Sequence, residues 1–482
     1  MLFNSFAFLA FLPMVFLLHW AARSTTWRNG VLLAASYVFY GFWDVRFLGL
    51  IALSTGVDFL AGLLMAGGKR KLGMWMSLVV NLGVLIAFKY AGFFVNSWVD
   101  AWQAVGVTMS KPVWNLVLPV GISFYTFQTL SYTLDVYRGT VPAERNPLTF
   151  AAFVAFFPQL VAGPIERASS LLPQFNRVRT FTYDEARSGL RLILWGMFKK
   201  VLVADTCAPW VDALFADPGQ NTGPMLAFGA VLFGFQIYGD FSGYSDIAVG
   251  TARLFGVRLH PNFHFPYFAA NIGDFWRRWH MTLTAWFRDY VYIPLGGSRN
   301  GGLKTFRNTV VVFLLSGLWH GANWTFLAWG GVHALMFVPA LVRRKRTGSR
   351  QTHKDCSWLR RGVSWGVTFA GVTSAWVLFR ADSVSAALHY YRNVLFGPAW
   401  RNLEALWINK LAIESTIPFS LLEATCAIII LVLAEAFAHF RQTKSRLFNP
   451  EWSPLRWACY ALVLSQIFFR LGAPMGFIYF QF

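Results

Sequence analysis

Charged residues are scarce in this chain. Only 13% of its 482 residues are Asp, Glu, Lys or Arg, whereas 56% are hydrophobic and 18% are aromatic. Soluble domains contain about 25% charged residues, and a water-soluble core of this length could not use so much apolar surface. The composition therefore predicts an all-α polytopic membrane protein.

Cysteine is rarer still, and its spacing excludes two kinds of structure. The cysteines show neither the paired spacing of a zinc site nor a disulfide framework. They lie mostly in or beside apolar runs: Cys207, Cys356, Cys426 and Cys459. We therefore expect no metal site and no network of disulfides.

Acidic residues are few, at 22 against 42 Lys and Arg, which gives a net charge of +20. In a soluble protein this charge would suggest nucleic acid. Here the basic residues cluster in short loops between apolar runs, which is the positive-inside pattern of a membrane protein. We therefore expect no nucleic-acid partner. The basic loops should face the cytoplasm: 69–71, 277–307, 343–361 and 441–456. The stretch 381–418 and the C-terminus should lie outside.

The sequence shows no pattern of a signal peptide, an internal repeat or a linker. Residues 1–20 are apolar from the start, with no basic region and no small-residue cleavage site, so we expect a retained first helix. Several apolar runs are too short, or too interrupted by Gly and Pro, to cross a bilayer. We expect a single membrane domain, 1–482, with roughly 11–13 transmembrane or re-entrant helices around a central tunnel.

The stretch 275–324 carries two histidines in apolar surroundings. Its first part has apolar residues at steps of three and four, which predicts one striped helix with rings at headgroup depth: Trp276, Trp279, Leu283, Trp286 and Tyr290. Its second part, 308–319, rises only about 18 Å as a helix, against about 30 Å for a bilayer core. His320 should then lie within the membrane, either as a functional group or as a histidine hydrogen-bonded inside the bundle.

A second polar group interrupts the apolar sequence at 235–246. Such side chains cannot face lipid, so they line a cavity or satisfy one another by ordinary interhelical hydrogen bonds: Gln236, Tyr238, Asp240, Ser242 and Asp246. A metal would need three or four ligands, and a helical pairing of His260 with His264 is not expected in their Pro/Phe-rich loop. A neutral histidine of lowered pKa, acting as a general base on a hydroxyl, fits the chemistry more easily.

Three motifs carry a family resemblance. They read Phe-Trp-Arg-Arg-Trp-His at 275–280, Arg-Asp-Tyr-Val-Tyr-Ile-Pro-Leu-Gly-Gly at 288–297 and Leu-Ser-Gly-Leu-Trp-His-Gly-Ala-Asn-Trp at 315–324. Together with 119–128, 157–165 and 241–246 they resemble the membrane-bound O-acyltransferase (MBOAT) superfamily over most of the chain. Within it, the sequence is most similar to the bacterial alginate O-acetylation branch.

The resemblance implies roles for several residues. His320 matches the essential histidine and His280 the second histidine motif, while Trp319 and Asn323 would line the tunnel with the polar residues of 235–246. The donor would be cytoplasmic acetyl-CoA, with no bound cofactor. Its phosphates would meet Arg277, Arg278 and Arg288. The alternative, which we favour for any single arginine, is that positive-inside charge alone explains these residues.

The C-terminus adds a further resemblance. Residues 477–482 fit the Phe-x-Tyr-x-x-Phe ending of envelope-modifying MBOAT systems, in which the tyrosine, here Tyr479, would relay the acyl group to a periplasmic SGNH-type acetyltransferase. The alternative is an aromatic tail anchored among headgroups.

The implied function is transfer of acetyl groups across the bacterial inner membrane for O-acetylation of an exopolysaccharide such as alginate. Acetylation of peptidoglycan or cellulose and D-alanylation of teichoic acid remain alternatives. A transporter would usually show two matching halves, which this sequence lacks.

Overall fold

The computed structural model describes residues 1–111, 116–299, 301–347, 358–397, 403–440, 453–470 and 476–478. Within those ranges the regular structure is entirely helical, as predicted. The chain forms two compact units, Met1–Ile193 with Tyr244–His260, and Leu194–Gly243 with Pro261–Phe482. The expectation of one membrane domain over 1–482 stays a prediction.

The first half of the chain contains α1 to α12. Their bounds are α1 Phe6–Ala21, α2 Thr25–Gly41, α3 Leu48–Ala66, α4 Arg70–Leu85, α5 Ala91–Ala104, α6 Ile122–Arg138, α7 Pro147–Ala155, α8 Phe157–Leu160, α9 Ala168–Asn176, α10 Tyr183–Met197, α11 Asp205–Ala216 and α12 Gly223–Leu254. Two π-helices, Ile86–Tyr90 and Phe198–Ala204, continue α4 and α10. Short 3₁₀ turns cover Val45–Phe47 and Pro218–Gln220.

The second half contains α13 to α22. Their bounds are α13 Ile272–Arg278, α14 Met281–Phe287, α15 Gly302–His320, α16 Trp324–Met336, α17 Val338–Thr347, α18 Trp358–Arg380, α19 Val384–Phe396, α20 Leu403–Glu414, α21 Leu421–Phe440 and α22 Ser453–Arg470. A 3₁₀ turn, Pro266–Phe268, precedes α13, and a π-helix, Arg288–Tyr292, follows α14.

Within the described ranges, six helical segments are long and apolar enough to cross a membrane. They are Val45–Ala66, Arg70–Ala104, Gly223–Leu254, Trp324–Val342, Leu359–Arg380 and Leu421–His439. Phe6–Ala21 and Trp457–Arg470 are shorter apolar helices. The chain is therefore a polytopic membrane protein, as its composition predicts, whereas the count of 11–13 helices and the central tunnel stay predictions.

The first unit buries a carboxylate inside one of these spans. Asp58 of α3 has no exposed surface. It accepts hydrogen bonds from Ser77 Oγ at 2.5 Å and from Asn81 Nδ2 at 2.9 and 3.0 Å, both on α4. These donors satisfy the carboxylate where water is absent, so this buried acid acts as a structural link between α3 and α4.

In the second unit, α15 and α16 form a hairpin whose backbones touch. A Cβ atom added to Gly317 would lie 2.2 Å from the carbonyl oxygen of Phe326, and one added to Gly330 would lie 2.3 Å from that of Phe313. Small residues at such positions let two membrane helices pack closely. This hairpin holds His320, the last residue of α15, against α16.

The striped segment 276–290 differs from the sequence-based expectation. It is not one helix, because α13 ends at Arg278 and α14 begins at Met281. Four of its five stripe residues are buried in the protein: Trp276, Trp279, Leu283 and Trp286. The face that the periodicity marks therefore packs inside the protein, and the headgroup depth of its rings stays a prediction. The periodicity carried no signal for the break.

Candidate active site

His280 lies at the break between α13 and α14. Its φ of 42° is in the left-handed region, which residues other than glycine seldom adopt. The loop before α13 holds both sides of the break, because His264 N–H donates to the Arg278 carbonyl and Met281 N–H to the Asn262 carbonyl. A strained conformation that neighbouring hydrogen bonds hold in place is typical of functional positions.

The His280 ring is completely buried. Burial lowers its pKa to about 3, so the imidazole is neutral near pH 7. Its ring packs edge-on against Phe241 of α12, with ring centroids 4.6 Å apart. The apolar surroundings therefore keep the imidazole in the state that can accept a proton.

His320 ends α15, and Asn323 directly precedes α16. The Asn323 side chain accepts a hydrogen bond from Thr325 N–H at 3.2 Å and donates one to the Asp382 carbonyl at 2.9 Å. It therefore caps α16 and ties it to the connection between α18 and α19. This structural role was not among the sequence-based expectations, which assigned Asn323 to the tunnel lining.

Trp319 lies between the two histidines. Its ring centroid is 5.7 Å from that of His280 and 4.9 Å from that of His320. Trp329 and Phe379 enclose the other edges of the His320 ring at 5.2 and 5.3 Å. The structure thus brings His280, Trp319 and His320 into one buried aromatic cluster.

A third buried histidine, His333 on α16, was missed by the sequence analysis. Its centroid is 4.8 Å from that of Trp329 and 5.1 Å from that of Trp276. Neither ring nitrogen has a hydrogen-bond partner among the residues that the structure describes. The signal was available, because a histidine in the apolar run 321–341 is as unusual as His320.

The polar residues of α12 fall into two groups. Tyr238 O–H donates to Glu435 Oε1 of α21 at 2.5 Å, a partner that the sequence did not reveal. By contrast, Gln236 Oε1 and Ser242 Oγ are buried and find no hydrogen-bond partner within the described ranges. Buried oxygen atoms of this kind are suited to meet a bound substrate or water.

Asp240 belongs to a buried charge cluster. Lys200 Nζ lies 2.8 Å from Asp240 Oδ1 and 2.8 Å from Asp205 Oδ1, and all three side chains are almost fully buried. Gly239 permits this approach, because a Cβ atom there would lie 2.8 Å from the Lys199 carbonyl oxygen. Two carboxylates sharing one ammonium leave the cluster with a formal charge of −1.

The C-terminal segment enters this cluster. Ile478 N–H donates to Asp240 Oδ2 at 2.5 Å, and Lys200 Nζ donates to the Gly476 carbonyl at 3.3 Å. The Phe477 ring is buried 6.0 Å from that of Phe241, which also touches His280. Tyr479, the predicted relay residue, lies outside the described residues.

The remaining candidates belong to the first unit or are already paired. Asp246 is half-buried and belongs to the first unit. Arg277 and Arg278 both pair with Asp274, at 3.3 and 3.1 Å, and Arg288 pairs with Asp289 at 2.6 Å. An anionic donor would have to compete with these carboxylates.

The cluster suits proton transfer rather than metal chemistry. The described residues contain no group of three His, Cys, Asp or Glu side chains able to hold a metal ion. Two buried imidazoles joined through Trp319 can instead take a proton from a hydroxyl.

Known proteins share much of this sequence. The profile of the MBOAT, membrane-bound O-acyltransferase family, matches residues 141–371. The chain is 40% identical to the probable alginate O-acetylase AlgI of Azotobacter vinelandii, over 90% of this chain and 85% of that protein. It is 32% identical to the peptidoglycan O-acetyltransferase of Helicobacter pylori, over 100% of this chain and 98% of that protein. It is 28% identical to the teichoic acid D-alanyltransferase of Streptococcus thermophilus, over 49% of this chain and 60% of that protein.

Two of these relatives exceed 30% identity and are matched over most of their length. The family profile covers the segment that holds α7 to α16, with both motif histidines. The chain therefore belongs to the membrane-bound O-acyltransferase family and is an O-acyltransferase.

Proposed function

We propose that this O-acyltransferase takes an acetyl group from cytoplasmic acetyl-CoA and delivers it across the bacterial inner membrane to a periplasmic SGNH-type acetyltransferase, which O-acetylates an exopolysaccharide such as alginate. The similarity to alginate O-acetylases over most of the chain supports the acetyl group and the acceptor. The family assignment excludes the alternative that the protein is a transporter.

His320 is the proposed general base, and His280 supports it from the other side of Trp319. Both rings are buried, and Trp319 touches each of them. In such surroundings a neutral imidazole accepts a proton without competition from bulk water. General-base catalysis of this kind contributes about 10²–10⁴-fold to a rate.

The proposed transfer has two chemical steps. The phenol proton of Tyr479 moves to His320 as the phenolic oxygen attacks the thioester carbonyl carbon. The carbon–sulfur bond then breaks, and the departing CoA sulfur takes the proton from the imidazolium, which leaves acetyl-Tyr479 and free CoA. A serine hydroxyl of the periplasmic partner next attacks the ester carbonyl carbon. The bond between that carbon and the Tyr479 oxygen breaks, the acetyl group stays on the serine, and the departing phenolate takes the proton that the serine loses.

One observation supports a relay through Tyr479 in the C-terminal segment. Gly476, Phe477 and Ile478, which immediately precede Tyr479, are held by Lys200, Asp240 and Phe241. Phe241 also packs against His280. A tail that only anchored in headgroups would not need a buried backbone hydrogen bond next to the histidine cluster.

The proposal is tested by mass spectrometry of the purified protein after exposure to acetyl-CoA. We expect an acetyl group on Tyr479 in the wild type and none in Tyr479→Phe or His320→Gln. His333→Gln is the matched control, since it removes another buried histidine from the same aromatic surroundings. The His333→Gln variant should still carry the acetyl group on Tyr479 if His320 alone acts as the base.

Each other outcome separates one part of the proposal from the rest. Release of CoA without an acetyl group on Tyr479 would support acetyl-CoA as the donor and would mean that the C-terminal segment acts only as an anchor. No reaction with acetyl-CoA, together with reaction of an acylated carrier protein, would overturn the donor and favour D-alanyl transfer.

Peptidoglycan is the second candidate acceptor. The Helicobacter pylori relative aligns with all of this chain and with 98% of its own length, which favours a shared architecture from end to end. Supplying the periplasmic partner with alginate oligosaccharides or with peptidoglycan fragments, and measuring ester formation on each, distinguishes the two.

A further inference from the structure

A basic pocket of about 290 Å³ opens in the first unit. Its walls come from the connection between α9 and α10, from the end of α12 and from Trp20 of α1. We call it the arginine pocket, after Arg177, Arg179, Arg253 and Arg258, which all line it. Nothing in the acyl-transfer chemistry described above uses these residues.

The arginine pocket has a large excess of positive charge. Glu185 is its one acidic lining residue, and it pairs with Arg258 at 2.7 Å. Arg253 Nη1 donates to the neutral hydroxyl of Ser188 at 2.7 Å. Four guanidinium groups against one carboxylate give the lining a formal charge of +3, which suits an anion.

Arg179 is the most unusual member of the pocket. It is only 5% exposed, and one nitrogen, Nε, has no hydrogen-bond partner in the described part of the chain. Its other nitrogens donate to neutral oxygens, at 2.7 Å to Asn29 Oδ1 and at 3.5 Å to the Gln174 carbonyl. A buried guanidinium without a carboxylate is costly unless an anion meets it.

A second cation lies beside Arg179. Arg28 donates to the Arg179 carbonyl and to the Ala22 carbonyl, both neutral, and stacks over the Trp20 ring at 4.9 Å. Burial, and then the charge of Arg28, lower the pKa of Arg179 to about 10. Arg179 therefore remains charged near pH 7, and the nearby Arg28 adds to the demand for an anion.

Two of the residues that line the pocket are apolar and exposed, Val178 by 80% and Phe181 by 50%. Trp27, which precedes Arg28 in the sequence, is 72% exposed. Trp20 belongs to the last turns of α1, so the pocket lies at one end of an apolar helix. Exposed aromatic and aliphatic groups beside arginines are typical of the headgroup region of a bilayer.

From this arrangement we infer that the arginine pocket binds the phosphate of an anionic phospholipid headgroup. The flanking apolar residues would contact the acyl chains, and Arg179 would donate its unused Nε–H to a phosphate oxygen. A phosphate of CoA offers the same chemistry, but it would leave the exposed apolar residues without a partner. The inference does not rest on the proposed acetyl transfer.

The test is native mass spectrometry of the detergent-purified protein titrated with dioleoylphosphatidylglycerol or with dioleoylphosphatidylcholine. Arg177→Gln is the safest pocket variant for the fold, because Arg177 is exposed. We expect it to weaken phosphatidylglycerol binding about fivefold, and Arg179→Gln to weaken it about tenfold or more. Phosphatidylcholine binding should change little.

Arg145→Gln is the matched control. Arg145 is an exposed arginine of the same unit, and its neighbour Glu144 accepts a hydrogen bond from Asn176, the residue before Arg177. It removes the same charge near the pocket without touching its lining. An equal loss of phosphatidylglycerol binding in Arg145→Gln would show only a net-charge effect and overturn the inference.

A competition arm distinguishes the two sources of phosphate. If CoA binds in place of the lipid, and Arg177→Gln and Arg179→Gln weaken CoA but not phosphatidylglycerol, the pocket belongs to the donor and the lipid inference fails. Thermal melting of each variant identifies a misfolded protein. The exposed Arg177 variant keeps the test decisive if Arg179→Gln does not fold.

Discussion

The backbone N–H of Ile478 donates a 2.5 Å hydrogen bond to Oδ2 of Asp240, a residue 238 positions earlier in the chain. Lys200 offsets the charge of that carboxylate and also holds the Gly476 carbonyl. One buried ion pair thus binds both ends of a three-residue backbone segment. Tyr479 follows Ile478 directly, so this ion pair fixes the backbone from which the proposed relay residue extends.

Asp240→Asn should release the C-terminal segment. The change weakens the acceptor of the Ile478 amide and removes the charge that orients Lys200. A hydrogen bond to a charged group is worth about 1.5–3 kcal/mol, so amide hydrogen exchange in a C-terminal peptide should become roughly tenfold faster or more. Acetylation of Tyr479 should fall with it.

Asp205→Asn is the control for that experiment. Asp205 shares Lys200 with Asp240, at 2.8 Å from the ammonium nitrogen, whereas the Ile478 amide donates to Asp240. Exchange at the C-terminus should stay close to the wild-type rate. Equal acceleration in both variants would mean that the cluster supports the fold in general and does not hold the tail specifically.

Substitutions at His280 should separate backbone strain from chemistry. With φ at 42°, His280→Gly adopts the observed conformation easily, whereas His280→Val resists it by about 1–2 kcal/mol. We expect the glycine variant to melt at a higher temperature than the valine variant, while both lose acetyl transfer. Recovery of activity in His280→Gly would show that the imidazole is dispensable.

Gly330 and Gly331 offer a matched pair on α16. A methyl group at Gly330 meets the Phe313 carbonyl, whereas one at Gly331 meets nothing within 4 Å. Gly330→Ala should therefore separate α15 from α16 at a cost of about 1–3 kcal/mol. Thermal melting in detergent should show a clear loss for Gly330→Ala and little change for Gly331→Ala. Similar melting of the two variants would contradict the close helix contact.

His260 should give the stability of the first unit a pH dependence. Its hydrogen bond with the buried Glu166 carboxylate, at 2.8 Å, raises the pKa of His260 above its usual 6.5. The stabilisation is then fully present below pH 6.5 and is lost as the pH rises through the raised pKa. His260→Gln should lower the melting temperature at about pH 6 more than at about pH 9.

The size of this effect should be small. The His260 side chain is 62% exposed, and solvent-exposed ion pairs are worth less than about 1 kcal/mol. His264→Gln is the control, since burial and the nearby Arg278 lower its pKa, with no Glu166 contact. A pH-independent loss in His260→Gln would mean that the ring contributes packing and no charge.

Much of the site could be anticipated from local sequence. The apolar run before His320 correctly indicated a buried histidine at the end of a helix. The stripe at 276–290 marked the residues of one apolar face, four of which are buried in the protein, but it did not show that the face is divided between two helices. Both are local patterns, and hydrophobic burial is dictated by side chains a few positions apart.

The sequence by itself thus determined an all-helical membrane protein, its family and its two motif histidines. Only the tertiary structure decided that the chain breaks at His280, that Trp319 lies between the histidines, and that Lys200 and Asp240 hold the C-terminal segment. These features join residues far apart in the chain. Their hydrogen bonds and ion pairs form only after the apolar helices have packed, and no local periodicity encodes them.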